Sequence, residues 1–129
     1  MAEPTNTGFG RLLVAVYATF ALAATARAGV QLATRFGEAP LAYLLSALSA
    51  VVYVVATVAL ARSARGVATA AVAFELIGVL VIGTLSVLDP AAFPDETVWS
   101  DYGRGYLFIP LVLPLVGLYW LRRTASSRA

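Results

Sequence analysis

The sequence predicts an all-α integral membrane protein: one domain built as a four-helix bundle, up-down-up-down, with both termini cytoplasmic. Three observations carry that expectation. Of 129 residues, 60% are hydrophobic and 12% charged, whereas a soluble domain is about half apolar and about a quarter charged. The apolar residues fall into four runs, each near the roughly 20 residues that cross a bilayer. The arginines gather at alternate ends of those runs, a pattern that holds the flanking loops on the cytoplasmic side.

The first span covers residues 12–35, because nothing before Gly37 stops a helix. A cleavable secretory signal competes for this segment, since Arg11 precedes it and small residues follow. Three further spans make a multi-pass cell-membrane protein under either reading. Gly37 and Pro40 form a short turn before the second span, 41–61. The connector Arg62-Ser63-Ala64-Arg65-Gly66 is too short for anything but a helical hairpin. The third span covers 67–88 and stops at Asp89-Pro90. An outer loop, 89–104, carries Pro94, Asp95, Glu96, Trp99, Asp101, Tyr102 and Gly103, and reads as surface. The fourth span, 105–121, is barely long enough.

Orientation follows from charge. Arg11, then Arg62 with Arg65, then Arg122, Arg123 and Arg128 belong on one side of the membrane. The opposite loops hold Arg35 with Glu38, and then Asp89, Asp95, Glu96 and Asp101 against Arg104 alone. Arg27 and Arg35, near the outer end of the first helix, are the discordant residues.

Absences exclude whole function classes. The chain has no Cys, no His and no Lys. Disulfide and thiol chemistry are excluded, along with the usual imidazole ligands of haem, zinc and copper and the commonest general base near neutral pH. No cofactor and no metal is expected. A net charge of +2, spread over helix ends rather than in one dense patch, argues against nucleic acid as a partner.

Glu75 is the outstanding residue. It lies about eight residues into the third span, roughly 12 Å deep at the helical rise, where an acid costs about 2.5–3.5 kcal/mol. It is expected to face the bundle and be protonated, paired or hydrogen-bonded, with Tyr53 and Thr57 of the second span at similar depth as candidate partners. Two readings compete: a proton-titrating or cation-binding site, and a structural acid acting as interhelical glue. Arg27 is a conceivable ion-pair partner, although its depth differs by roughly 10 Å.

On the first helix Ala15, Thr19, Ala23, Arg27, Gln31 and Arg35 recur at i+4 and are read as one face, small below and polar toward the outside. They line a vestibule on one account. On the plainer one they permit close packing while the arginines snorkel. Ala42, Ser46 and Ala50, with Ser49 beside them, form a packing seam on the second helix. Gly78 and Gly83 either thin the interface near Glu75 or loosen the third helix. Pro110 and Pro114 predict a kink in the fourth span, either a tolerated bend or a broken helix of the kind transporters use. Tyr106, Phe108, Tyr119 and Trp120 are interfacial anchors. In the outer loop, Asp95, Glu96 and Asp101 are candidates for gathering a divalent cation, but their spacing matches no calcium loop and a solvated acidic loop is the plainer reading, while Trp99 and Tyr102 are candidates for meeting a partner or a sugar.

The stretch Phe74-Glu75-Leu76, Asp89-Pro90-Ala91-Ala92-Phe93-Pro94-Asp95, Thr97-Val98-Trp99-Ser100, Tyr102-Gly103, Pro110, Pro114 and Leu121-Arg122-Arg123 resembles a group of short, uncharacterised integral membrane proteins of actinobacteria. The resemblance covers the second half of the chain and implies topology and source, with no activity attached. The expected role is a non-enzymatic accessory, assembly or scaffold subunit whose partners are the bilayer and another membrane protein, or a second copy in a homo-oligomer. The alternative is a small oligomeric transporter or channel in which Glu75 titrates.

Overall fold

The structure, a computed structural model, describes residues 4–34, 40–92 and 97–126. Among them every regular element is helical: α1 Phe9–Thr34, α2 Pro40–Ala61, α3 Arg65–Leu88 and α4 Ile109–Ser126, with 3-10 turns at Pro90–Ala92 and Ser100–Tyr106. α1, α2 and α3 are each long and apolar enough to cross a membrane. A fourth crossing exists only if Ser100–Tyr106 and α4, which meet at 98°, count as one broken span.

The distribution of side chains is the one a bundle surrounded by hydrocarbon would have. Leu22, Val51, Ile77, Leu85 and Leu88 are exposed, while Thr5, Gln31, Ser46, Ser49, Glu75 and Thr124 are buried. A soluble protein does the reverse. In hydrocarbon, apolar burial gains nothing, so small and polar residues form the helix contacts and large aliphatics face outward.

The helix ends follow local rules. Pro40 is the first residue of α2 rather than part of the preceding turn; there its missing N–H is one no helix would satisfy. α2 ends where Ser63 turns left-handed (φ 54°) and the Ala64 N–H reaches back to the Ala59 carbonyl at 2.8 Å, a Schellman-type stop. That tight stop lets α3 begin at Arg65, two residues before the expected start. It also lets the chain lead-in dock: the Thr5 hydroxyl donates to the Leu60 carbonyl at 2.5 Å and its N–H to Ser63 at 3.0 Å. Trp120 of α4 donates to the Thr5 carbonyl, and Arg65 to the Leu121 carbonyl. The lead-in, the α2–α3 hairpin and the end of α4 therefore meet at one end of the bundle.

The i+4 stripe of α1 is not one face. Each step of four advances about 40° around a helix of 3.6 residues per turn, so five steps carry it half-way round. Ala15, Thr19 and Ala23 are exposed, Arg27 is half-buried and Gln31 is buried; Arg35 lies outside the described residues. The buried face is instead Leu13, Tyr17, Phe20, Ala21, Ala24, Ala28 and Gln31, alternating steps of three and four. Of the α2 seam, Ser46, Ser49 and Ala50 are buried, and the Ala42 side chain lies outside those described.

The expected fourth span, 105–121, is displaced. α4 starts at Ile109, and Gly105 and Tyr106 belong to the 3-10 segment. The bend lies ahead of both prolines, where Leu107 (φ 59°) and Phe108 (φ 60°) are left-handed. Pro110 occupies the first turn of α4, where no backbone bond is lost. Pro114 alone stands inside the helix.

Candidate functional site: a buried carboxyl beneath an aromatic plug

Glu75 is fully buried. Ten residues into α3, it lies roughly 15 Å from the helix end, half the depth of a bilayer core of about 30 Å. The Tyr17 hydroxyl of α1 donates to its Oε1 at 2.5 Å. Its Oε2 has no hydrogen-bond partner among the described residues, although the Tyr53 hydroxyl of α2 stands beside the same carboxyl. α4 closes the site through Gly117, where an added Cβ would lie 3.1 Å from Val72 and 3.2 Å from the Tyr17 hydroxyl.

The expected partners divide. Tyr53 faces the carboxyl, whereas Thr57 bonds the Tyr53 carbonyl on its own helix at 2.7 Å and lines an outer groove. Arg27 does not reach Glu75; it donates to the Tyr106 hydroxyl at 3.2 Å. Gln31 is buried, and its Oε1 meets no hydrogen-bond partner among the described residues. Tyr17, the residue that holds the carboxyl, was not among the expected partners. The available signal was a tyrosine inside an Ala/Val run at i+3 and i+4 from Leu13, Phe20 and Ala21, since a phenol in mid-membrane needs an acceptor.

The outer segment is the largest departure from expectation. Residues 97–100 are buried, and the Trp99 ring is driven into the bundle. Its Nε1 donates to the Tyr53 hydroxyl at 3.2 Å, with ring centroids 6.5 Å apart. Phe20 joins the cluster at 5.7 Å from Tyr53 and 5.6 Å from Tyr106. This segment plugs the bundle instead of lying on its surface, so Trp99 is not available to a sugar or partner. Chain family models, curated proteins and solved structures yield no match to this sequence.

Two glycines of α3 seat the plug. A Cβ on Gly78 would lie 2.6–3.0 Å from the Trp99 ring, and one on Gly83 would collide with the Tyr102 ring. They are receptacles, which thins the interface as one reading expected. Tyr102 then bonds Thr84 at 2.8 Å. Ser86 accepts the Asp101 N–H at 2.8 Å, holding a turn in which Asp101, Tyr102 and Gly103 are all left-handed (φ 50°, 60° and 83°). Asp101 is thus committed to the turn. Asp95 and Glu96 lie outside the described residues, and among those described no cluster of three ligating side chains could hold a metal.

Chemically, the site is a carboxyl–phenol pair with one open acceptor oxygen, enclosed by Tyr53, Trp99 and Gly117. It can hold or exchange a proton. None of the four described outer grooves is lined by Glu75.

Proposed function

We propose that the chain is a multi-pass cell-membrane protein with four crossings, up-down-up-down, both ends cytoplasmic, serving as a non-enzymatic accessory or scaffold partner of another membrane protein. The arginine distribution supports the orientation. Arg11, Arg62, Arg65, Arg122 and Arg123 lie on segments whose mutual hydrogen bonds bring them to one end. Kinship with the short actinobacterial group belongs to the same proposal.

The observation that carries the role is the outer groove between α1 and α2, about 280 Å³, floored by Ala18, Ala21 and Thr25 and walled by Val54, Thr57 and Val58. Small residues on a lipid-facing surface allow another helix to approach closely, and helix association in membranes depends on that approach. The polar interior, by contrast, is occupied by the protein's own plug.

Photo-crosslinking from Leu22, beside the groove, should capture one defined membrane protein, and Ala18→Phe should abolish capture while leaving the melting temperature unchanged. Identical capture with the groove filled would refute the role. Orientation is checked separately, because a chain without cysteine accepts single probes. Gly66→Cys, in open space, should resist an impermeant maleimide in intact cells, and Arg104→Cys should react.

The unpartnered Oε2 of Glu75 favours a second reading, a small oligomeric transporter in which this carboxyl titrates. It requires flux in liposomes that Glu75→Gln abolishes.

A further inference from the structure

A second apolar groove lies between α2 and α3, divided from the first by Val54 and Val58, which line both. It has two sections, about 330 and 380 Å³, and both are lined by Val55 and Val67, so they form one channel. The channel runs from Leu48 and Phe74 in the bundle's middle to Arg62 at the hairpin. Fourteen residues of α2 span that distance, roughly 21 Å at the helical rise. One leaflet's hydrocarbon is about 15 Å deep, half of a core of about 30 Å.

The two ends differ in chemistry. The walls are aliphatic apart from Phe74, and Ala59, Ala64 and Ala70 supply the depth by ending at Cβ. At the mouth stands an exposed guanidinium. Arg65, its neighbour, is tied to the Leu121 carbonyl at 3.0 Å. Arg62 is exposed, and among the described residues its side chain has no hydrogen-bond or ion-pair partner. A long apolar trough ending at an unpaired cation at the membrane surface matches one molecule the bilayer itself provides: an acyl chain carrying a phosphate.

We propose that the α2–α3 groove holds one anionic glycerophospholipid, with an acyl chain against Val55 and Val67 and the headgroup phosphate on Arg62. The site does not depend on the partner role and requires only that hydrocarbon surround the bundle; Val54 and Val58 line both grooves, whereas Arg62, Val67 and Ala70 line this one and not the α1–α2 groove. The negative surface potential of a cytoplasmic leaflet rich in anionic lipid would favour this arginine-bearing end further.

The test is native mass spectrometry of the full chain in detergent, with phosphatidylglycerol and phosphatidylcholine of identical chains added in equal amounts. One phosphatidylglycerol should be retained with a preference of about tenfold, because phosphatidylcholine offers the same phosphate but offsets it with a quaternary ammonium that the Arg62 cation repels. Arg62→Gln should erase the preference. Ala70→Trp on α3 and Val55→Trp on α2, which fill the trough from opposite walls, should each lower retention of both lipids, so failure of one variant to fold leaves the other. Arg122→Gln, at the same end but off the groove, should change nothing. Inorganic phosphate should not displace the lipid. Equal retention of the two lipids would overturn the proposal. So would an Arg122→Gln loss equal to that of Arg62→Gln, which marks diffuse attraction, or displacement by phosphate alone. A polypeptide cross-linked at Val67 in place of lipid would overturn it too.

Discussion

Gly78→Ala isolates the seat of the plug. The new methyl would lie 2.6 Å from Cζ3 and 2.7 Å from Cη2 of Trp99, against about 3.5 Å or more for ordinary carbon contacts, so the ring must retreat by about 1 Å. The ring is fully buried, and its Nε1 bond to Tyr53 is already 3.2 Å long; the retreat takes it beyond hydrogen-bonding range. Overpacking costs about 1–3 kcal/mol, and a buried N–H left without an acceptor about 1–3 kcal/mol. Opposing them is the helix propensity of Ala over Gly, about 1 kcal/mol in water and less in hydrocarbon, where α3 stays helical regardless. The steric effect wins, and a net loss of about 1–3 kcal/mol is expected, because relaxation of the plug relieves part of one penalty by incurring the other. Thermal denaturation in detergent, followed by tryptophan fluorescence, measures it. Gly29→Ala is the control: it has the same propensity change and no atom within 4 Å of the added Cβ, and should be neutral or slightly stabilising. Trp99→Phe, with its smaller ring, should make the Gly78→Ala loss less than additive. If Gly78→Ala melted with Gly29→Ala, the seat would not exist as described.

Tyr17→Phe leaves the Glu75 carboxyl without its donor and should lower stability by about 1–3 kcal/mol; a double-mutant cycle with Glu75→Gln should show coupling of at least about 0.5 kcal/mol, and additivity would deny the pair. Thr5→Val removes the side-chain bonds to the Leu60 carbonyl and Ser63, at about 1–2 kcal/mol, and amide exchange should rise first at the lead-in and the α2–α3 hairpin. Leu107→Gly relieves a left-handed residue worth about 1–2 kcal/mol at a site 84% exposed. After glycine's entropic penalty of about 0.5–1 kcal/mol, the melting temperature should rise slightly, and a fall would place a packing role on Leu107.

The i+4 stripe of α1 shows where linear reading misled. Spacing in fours looks like a face over two repeats and becomes a spiral over five, so Thr19 faces out while Gln31 faces in. Glu75, by contrast, was legible from composition alone, since a lone acid in a 22-residue apolar run has no stable place except inside. Its holder was not. Tyr17 and Glu75 are 58 positions apart, and choosing Tyr17 over Thr57 needs the rotation of both helices. Prolines at 110 and 114 suggested a bend, but left-handed Leu107 and Phe108 placed it earlier, at residues with no local signal for that conformation.

The sequence by itself determined that the chain is helical and that three of its helices are long and apolar enough to cross a membrane, because hydropathy is a property of single residues that adds along a chain. Only the tertiary structure decided that residues 97–100 turn inward as a plug. That outcome is a relation among distant parts: an indole, the absence of a side chain at Gly78, and a phenol on α2, 46 residues from Trp99. Trp99 in isolation has the composition of a surface loop around it. It is buried because the bundle leaves a ring-sized space with a hydrogen-bond acceptor inside, and no segment carries that information alone.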